Sequence, residues 1–284
     1  MDLLEFLLLL MLTGGAAGLV GSLTGLGGGI VVLPVLLIFF AEPFPIAAGA
    51  SLLTILATSS TTGAAYVRDR LTDLRIGMFF ESATVSGALI GAVTTVFLVH
   101  ADLSPALLVA LGVILIGILL ASLSRRGEDL PEGVHPDARS KRLGLDGEYF
   151  DPALGRSVPY EAEDTRRAFP VMFGAGLVAG MFGIGGGVFK VLALERYLRL
   201  PMKVATATSN FMIGVTAAAG AGVLFAAGFV SPLVAGPAAI GTAVGAFGGS
   251  RLLPGLRNRT VRLVFLPVIA VLAIETILRG VGLP

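Results

Sequence analysis

A run of small residues, Gly18-Leu-Val-Gly-Ser-Leu-Thr-Gly-Leu-Gly-Gly-Gly29, returns 158 residues later as Gly176-Leu-Val-Ala-Gly-Met-Phe-Gly-Ile-Gly-Gly-Gly187. Three consecutive glycines inside an apolar helix cost roughly 1 kcal/mol each relative to alanine. They are expected where the backbone must break or approach another group closely. The same offset, without a gap, aligns Pro43 with Pro201, Ala47 with Ala205 and Ser51 with Ser209. It continues through Thr58 and Thr216, Gly87 and Gly245, and Gly91 and Gly249. An unbroken register over about 75 residues marks an internal duplication.

The duplicated halves read as membrane segments. The chain is 55% hydrophobic and 14% charged, with a mean hydropathy of +0.90, and several apolar runs exceed about 18 residues, enough to cross a bilayer. In hydrocarbon, broken backbone is tolerated only where it is buried in protein or lines a cavity. Residues 3–24 form an apolar segment interrupted by Thr24–Gly29, and 29–40 resume as a short helix. Spans are expected at 46–67, 76–99 and 105–123; in the second half 169–183 lead to the second break, 187–198 form a short helix, and spans follow at 203–228, 231–253 and 260–280. Asp2 and Glu5 precede the first apolar run and no basic residue does, so the start reads as a retained membrane segment rather than a signal peptide.

The polar stretch 124–168, with eight basic and ten acidic residues and no apolar periodicity, reads as a linker. The expected organisation is a first transmembrane repeat over 1–123, this linker over 124–168, and a second repeat over 169–284. Basic residues set the orientation, because cytoplasmic loops accumulate Lys and Arg. Arg68–Arg75 is basic, whereas its counterpart Ala226–Leu233 has no Lys or Arg; the other loop pairs swap likewise. Placing the basic loops inside accounts for 18 of the 20 Lys and Arg. The fold expected is therefore all-α, a polytopic bundle of two inverted repeats. Each repeat is a glycine-tipped broken-helix hairpin, re-entrant or spanning, plus three spans. Both termini are expected outside the cell membrane and the linker in the cytoplasm.

Inversion brings two glycine tips together near the midplane. A helix N-terminus carries about half a positive charge and free N–H donors, so each tip suits an anion. Candidate substrate-binding residues are Gly27, Gly28, Gly29, Gly185, Gly186 and Gly187, with Ser51, Thr208, Ser209 and Asn210 as neutral donors on the following spans. Thr54 is a weaker candidate, and such hydroxyls also join helices. Lys190, one turn beyond the second tip, either meets the anion or snorkels to the inner surface. Glu81 is a candidate for carrying a coupling proton, although its nearness to the inner loop fits a membrane-edge residue more readily. Glu275 and Arg279 have helical ion-pair spacing. Gly87/Gly91 and Gly245/Gly249 read as helix-packing positions.

Other classes find no support. The glycine runs lack the third glycine of a dinucleotide fingerprint, with Ile30 and Val188 in its place, and no strand precedes them. No Ser/His/Asp set or metal-binding cluster is visible, cysteine is absent and there are two histidines, so no metal, cofactor or enzymatic activity is expected. A net charge of +1 argues against nucleic acid, leaving a small anion and the bilayer as partners. An anion channel, and an intramembrane enzyme or assembly factor using the same cavity, are the alternatives.

At the doubled glycine run, and at Pro43…Ala-Gly-Ala-Ser51 and Pro201…Ala-Thr-Ala-Thr-Ser209-Asn, the chain resembles the TauE/SafE family, also called TSUP. The resemblance spans both halves and leaves 124–168 unmatched. It implies movement of sulfur-containing anions such as sulfite, sulfoacetate or related sulfonates, driven by a proton or membrane-potential gradient.

Overall fold

The computed structural model describes residues 2–25, 27–123, 138–151 and 155–252, with positions 270, 273, 274 and 276–278. The expected span 260–280 and the Glu275–Arg279 pair lie largely outside the described residues, as does 124–137.

The first half comprises α1 (Leu3–Thr24), α2 (Gly29–Ile38), α3 (Phe44–Arg68), α4 (Leu74–His100) and α5 (Ser104–Leu123). The second comprises α7 (Thr165–Phe182), α8 (Gly187–Arg196), α9 (Met202–Ala226) and α10 (Pro232–Leu252). Both ends of α2 and α8, and of α3 and α9, differ by 158 residues. Five helices, α1, α3, α4, α9 and α10, are long and apolar enough to cross a membrane; α2 is a shorter apolar helix. Their outward faces carry Leu4, Leu12, Phe97 and Val244, all exposed, as lipid contact requires and water would not favour. This is a multi-pass, all-α membrane protein.

The repeat extends to backbone conformation. Positive φ occurs at Gly25 and Gly183, Gly27 and Gly185, Ala41 and Arg199, and Arg70 and Gly228, each pair 158 apart. The turn after the short helix closes alike in both halves: Glu42 N–H donates to Leu36 O and Leu200 N–H to Leu194 O, each at 3.0 Å. Pro43 and Pro201 then occupy the N-cap positions of α3 and α9, where their missing N–H leaves no helical bond unmade.

Packing exchanges partners between halves. Gly14 abuts Ala238 and Gly18 abuts Thr242, so α1 runs parallel to α10. Gly176 abuts Thr84 and Gly180 abuts Ala88, so α4 runs parallel to α7. In the middle, α3 and α9 cross antiparallel, with Ser59 on Gly214 and Leu52 on Gly220. A Cβ at Gly87 or Gly91 would lie 2.2 or 2.1 Å from a carbonyl oxygen of α7, and one at Gly245 would lie 1.9 Å from Gly15 O. These glycines let backbones touch, the role their small-xxx-small spacing suggested.

The stretch expected to be a plain linker contains a short helix, α6 (Ala138–Leu143), and an antiparallel hairpin, β1 (Asp146–Asp151) with β2 (Arg156–Glu161). Leu145, Tyr149, Val158 and Ala162 are buried in one apolar cluster with Tyr66, Leu71, Ile76, Leu198 and Leu200. The hairpin thereby touches the α3–α4 turn of one half and the α8–α9 turn of the other. Tyr160 Oη donates to Asp73 Oδ2 at 2.9 Å, and Glu163 N–H donates to Leu198 O at 3.2 Å.

Candidate anion site at the glycine breaks

Each break begins where a left-handed glycine ends a helix. Gly25 (φ 72°) closes α1 with its N–H on Gly21 O, and Gly183 (φ 67°) closes α7 with its N–H on Ala179 O. A side chain at Gly25 would meet Thr206, and one at Gly183 would meet Ala48. Each tip therefore rests on the long central helix of the opposite half, at equivalent positions.

Two serines tie the tips together. Ser51 Oγ reaches Gly29 O at 3.1 Å, at the start of its own half's short helix, and Gly183 O in the other half's break. Ser209 Oγ reaches Gly187 O at 3.4 Å and Gly25 O at 2.9 Å. The two arrangements are the same bridge with the halves exchanged. A hydroxyl has one proton to donate, so each serine satisfies one of its two carbonyls at a time. Ile55 and Ile213, both fully buried, fill the space beside the glycines: a Cβ on Gly27 would lie 2.8 Å from Ile213, and one on Gly185 would lie 3.0 Å from Ile55. The tips are closed over in this conformation.

Lys190 points away from the tip, along α9. It is fully buried, so it does not snorkel. Its Nζ donates to Met212 O at 3.1 Å and to Thr216 Oγ1, and lies 3.9 Å from Glu81 Oε1. Glu81 is 8% exposed, buried inside the protein. Its Oε2 accepts from Thr84 Oγ1 at 3.0 Å and from Thr216 Oγ1 at 3.3 Å. Glu81 Oε1 has no hydrogen-bond donor among the described residues. Helix packing thus makes a four-residue polar cluster from Glu81 and Thr84 on α4, Lys190 on α8 and Thr216 on α9.

The remaining candidates lie elsewhere. Thr208 Oγ1 accepts from Asp73 N–H at 3.0 Å, at the start of α4. Asn210 Nδ2 donates to Ser22 O at 3.2 Å, while its buried Oδ1 has no donor among the described residues. Thr54 Oγ1 bonds back to Ser51 O at 2.7 Å on its own helix. The structure therefore sets Gly29 against Ser51 and Gly187 against Ser209, packs Gly27 and Gly185 on Ile213 and Ile55, and turns Gly28 to Ala17 and Gly186 to Ala175. It sets Lys190 beside Glu81, and gives Thr208 and Asn210 other partners. Sequence reasoning passed over Ile55 and Ile213, whose apolar side chains look like any core residue. It treated Glu81 and Lys190 singly, although two intramembrane charges of opposite sign are a signal for pairing.

The family model described as "Sulfite exporter TauE/SafE" matches residues 10–276. The chain belongs to the TauE/SafE family. It is also similar to a curated relative from Bacillus subtilis (strain 168), "Probable membrane transporter protein YunE", with 29% identity over 285 residues. That match covers 98% of this chain and 99% of the relative. No solved structure matches the chain. Family and relative together indicate a membrane transporter rather than an enzyme.

Proposed function

We propose that this TauE/SafE member is a secondary transporter that exports small sulfur-containing anions such as sulfite or organosulfonates. It works by alternating access between two inverted halves, with the anion held at the glycine breaks near the midplane. The observation that carries this reading is the reciprocal serine bridge. Ser51 and Ser209 each join the tip of one half to the tip of the other, so the contact that must loosen to admit an anion also separates the halves. The antiparallel crossing of α3 and α9 supports inversion, because repeats related by an in-plane axis present their equivalent helices head to tail. Inversion makes the inward- and outward-facing states near mirror versions of one another.

An anion entering between the tips would find the first-turn N–H groups of α2 and α8, which lack helical acceptors, and the positive ends of both dipoles. Ser51 and Ser209 would turn their hydroxyls from the glycine carbonyls to the anion, exchanging one acceptor for another. Lys190 follows the second tip by about one turn of α8 and is turned toward Glu81 and Met212 in this conformation; released from them, its ammonium would supply the full positive charge. The substrate class rests on the family's description.

The test is thermal stability of the purified protein against sulfite, sulfate, thiosulfate, sulfoacetate, taurine, lactate and chloride. A ligand at about 100 times its Kd adds about 2.7 kcal/mol to the stability of a one-site protein. We expect that stabilisation for a sulfur oxyanion and not for lactate or chloride, and its loss in Gly28→Leu together with flux. Wild-type flux in correctly inserted Gly28→Leu would remove the glycine tips from the mechanism.

A further inference from the structure

The duplication keeps the serine bridge between the tips and loses the buried charges. The residue equivalent to Lys190 is Val32, and the residue equivalent to Glu81 is Ala239. The hydroxyls around them are kept, since Thr216 answers to Thr58 and Thr84 to Thr242. In the half without charges, Thr58 bonds back to Thr54 O at 2.9 Å and Thr242 to Ala238 O at 2.6 Å, each on its own helix. In the other, Thr84 donates to Glu81 Oε2 at 3.0 Å, while Thr216 keeps the equivalent back-bond, to Met212 O at 2.9 Å, and lies 3.3 Å from Glu81 Oε2. The same scaffold thus folds without an ion pair, and the pair is an addition to one side only.

The pair is also incomplete. Lys190 Nζ is 3.9 Å from Glu81 Oε1, beyond hydrogen-bond range, and Oε1 has no donor among the described residues. A carboxylate in this setting has one oxygen open to a proton. Among the described residues, no other charged side chain pairs with Glu81 or Lys190. Arg75 and His100 lie at the two ends of α4 itself; on the elements packed against it, the charged residues are Arg68 at the end of α3, Asp146, Glu148, Asp151, Arg156 and Glu161 on the β1–β2 hairpin at the start of α4, Arg166 and Arg167 at the start of α7, and Lys203 in the first turn of α9; α5 has none. On α8, Glu195 and Arg196 sit at the far end.

We propose that Glu81 and Lys190 form a single proton–anion exchange site, so that each anion crosses together with one proton and no net charge. This rests on the transporter reading above and assigns its coupling. In the empty state the carboxylate neutralises the ammonium. Glu81 takes a proton from water on the side to which the site is open, becoming a neutral acid, and the Lys190 charge is released to the anion. On the other side the anion leaves, the proton returns to water, and the pair re-forms. Empty and loaded forms both carry zero net charge, which is what a low-dielectric passage favours, since unpaired buried charge is strongly opposed. Linkage is reciprocal: the factor by which a proton raises anion affinity is the factor by which the anion raises proton affinity. Because Val32 and Ala239 offer no second pair, the ratio is one proton to one anion. The direction of net flux then follows the combined proton and anion gradients, and export proceeds while the product of anion and proton concentrations is larger inside than outside.

The experiment uses the full chain in proteoliposomes with radiolabelled sulfite and with isethionate, a sulfonate that remains a monoanion across the working pH range. Luminal pH is followed by a trapped dye, and voltage is clamped with valinomycin and potassium. Isethionate uptake should acidify the lumen by about one proton per anion and should be indifferent to the sign of the clamped potential. In Glu81→Gln, uptake driven by an acid exterior should fall about tenfold, within the usual range of coupling between two sites. Isethionate-for-isethionate exchange should continue in that variant. The double variant Glu81→Ala/Lys190→Val, carrying the residues of the other half, guards against misfolding; it should remain monodisperse and lose the luminal pH change. Flux that follows the clamped voltage without acidification, or unaltered gradient-driven uptake in Glu81→Gln, overturns the exchange site and leaves the transporter reading intact. If the wild type moves neither anion, the transporter reading falls and the exchange site with it.

Discussion

The two halves share a backbone and divide the chemistry unequally. Their breaks start at Gly25 and Gly183, rest on Thr206 and Ala48, and are bridged by Ser209 and Ser51, all in the same register. Yet the second half's short helix carries Lys190, and the first half's α4 supplies its partner Glu81, while the reciprocal positions hold Val32 and Ala239. Under the proposed alternating access, duplication preserves what would move, because two states of similar energy need similar packing. Charge needs no second copy, and a second buried pair would add its own desolvation penalty.

The largest effect expected from breaking this comparison is at the charged pair. Glu81→Ala leaves a fully buried ammonium without its carboxylate and should destabilise the protein by about 3–5 kcal/mol, the usual consequence of orphaning one member of a buried pair. Adding Lys190→Val should recover most of that loss. A double-mutant cycle in thermal or denaturant unfolding measures the difference. If the double variant is no more stable than Glu81→Ala, the two residues are not energetically coupled.

A smaller asymmetry separates the tips themselves. Gly28 is right-handed at φ −63°, whereas its counterpart Gly186 is left-handed at φ 62°. A Cβ at Gly28 would lie 3.2 Å from the Ala17 carbonyl, but one at Gly186 would lie 2.3 Å from Ala175 O. Gly186→Ala should therefore cost about 1–2 kcal/mol more than Gly28→Ala from left-handed backbone strain alone, with the clash in addition. Equal melting temperatures for the two variants would show that the tips share one conformation. The serines test the symmetric part. Ser51→Ala and Ser209→Ala should each cost about 1 kcal/mol, and by nearly the same amount, because their partners are equivalent.

Much of this was legible in the sequence because duplication writes structure twice. The helix boundaries of both halves fall within a few residues of those expected from apolar runs and from Pro43 and Pro201, and the glycine breaks fall at Gly25–Gly29 and Gly183–Gly187. What could not be read was the pairing of helices across the halves. Glu81 stands 109 residues before Lys190 in a segment whose neighbour along the chain is a charged loop, so a linear reading assigns it to the membrane edge. Only the packing of α4 against α7 and α9 buries it beside Lys190. Thr208 illustrates the reverse. It sits beside Ser209 in the sequence, yet successive helical residues diverge by about 100°, and it faces the α3–α4 turn rather than the tips.

The β1–β2 hairpin lies between the two halves and touches both. Its signal was present in Glu148-Tyr-Phe150 and Ser157-Val-Pro-Tyr160 on either side of Gly155, but charges on both sides obscured it. It fastens Asp73, which caps α4 through Oδ1 on Ile76 N–H at 2.9 Å while Oδ2 accepts from Tyr160. Burial, and then the neighbouring Asp73 carboxylate, push the Tyr160 phenol well above its usual range. A raised pKa means that the folded form holds the proton more tightly. The contribution is therefore complete below the unfolded phenol's pKa of about 10 and declines as pH rises beyond it. Tyr160→Phe should accordingly cost about 0.5–1.5 kcal/mol, and the cost should be the same at about pH 6 and about pH 9, both on the plateau below the unfolded phenol's pKa of about 10. Because Phe keeps the ring and removes only the donor, a loss confined to this range identifies the Asp73 bond. A larger loss would mean that the hairpin is held to the α3–α4 turn chiefly through that one hydroxyl.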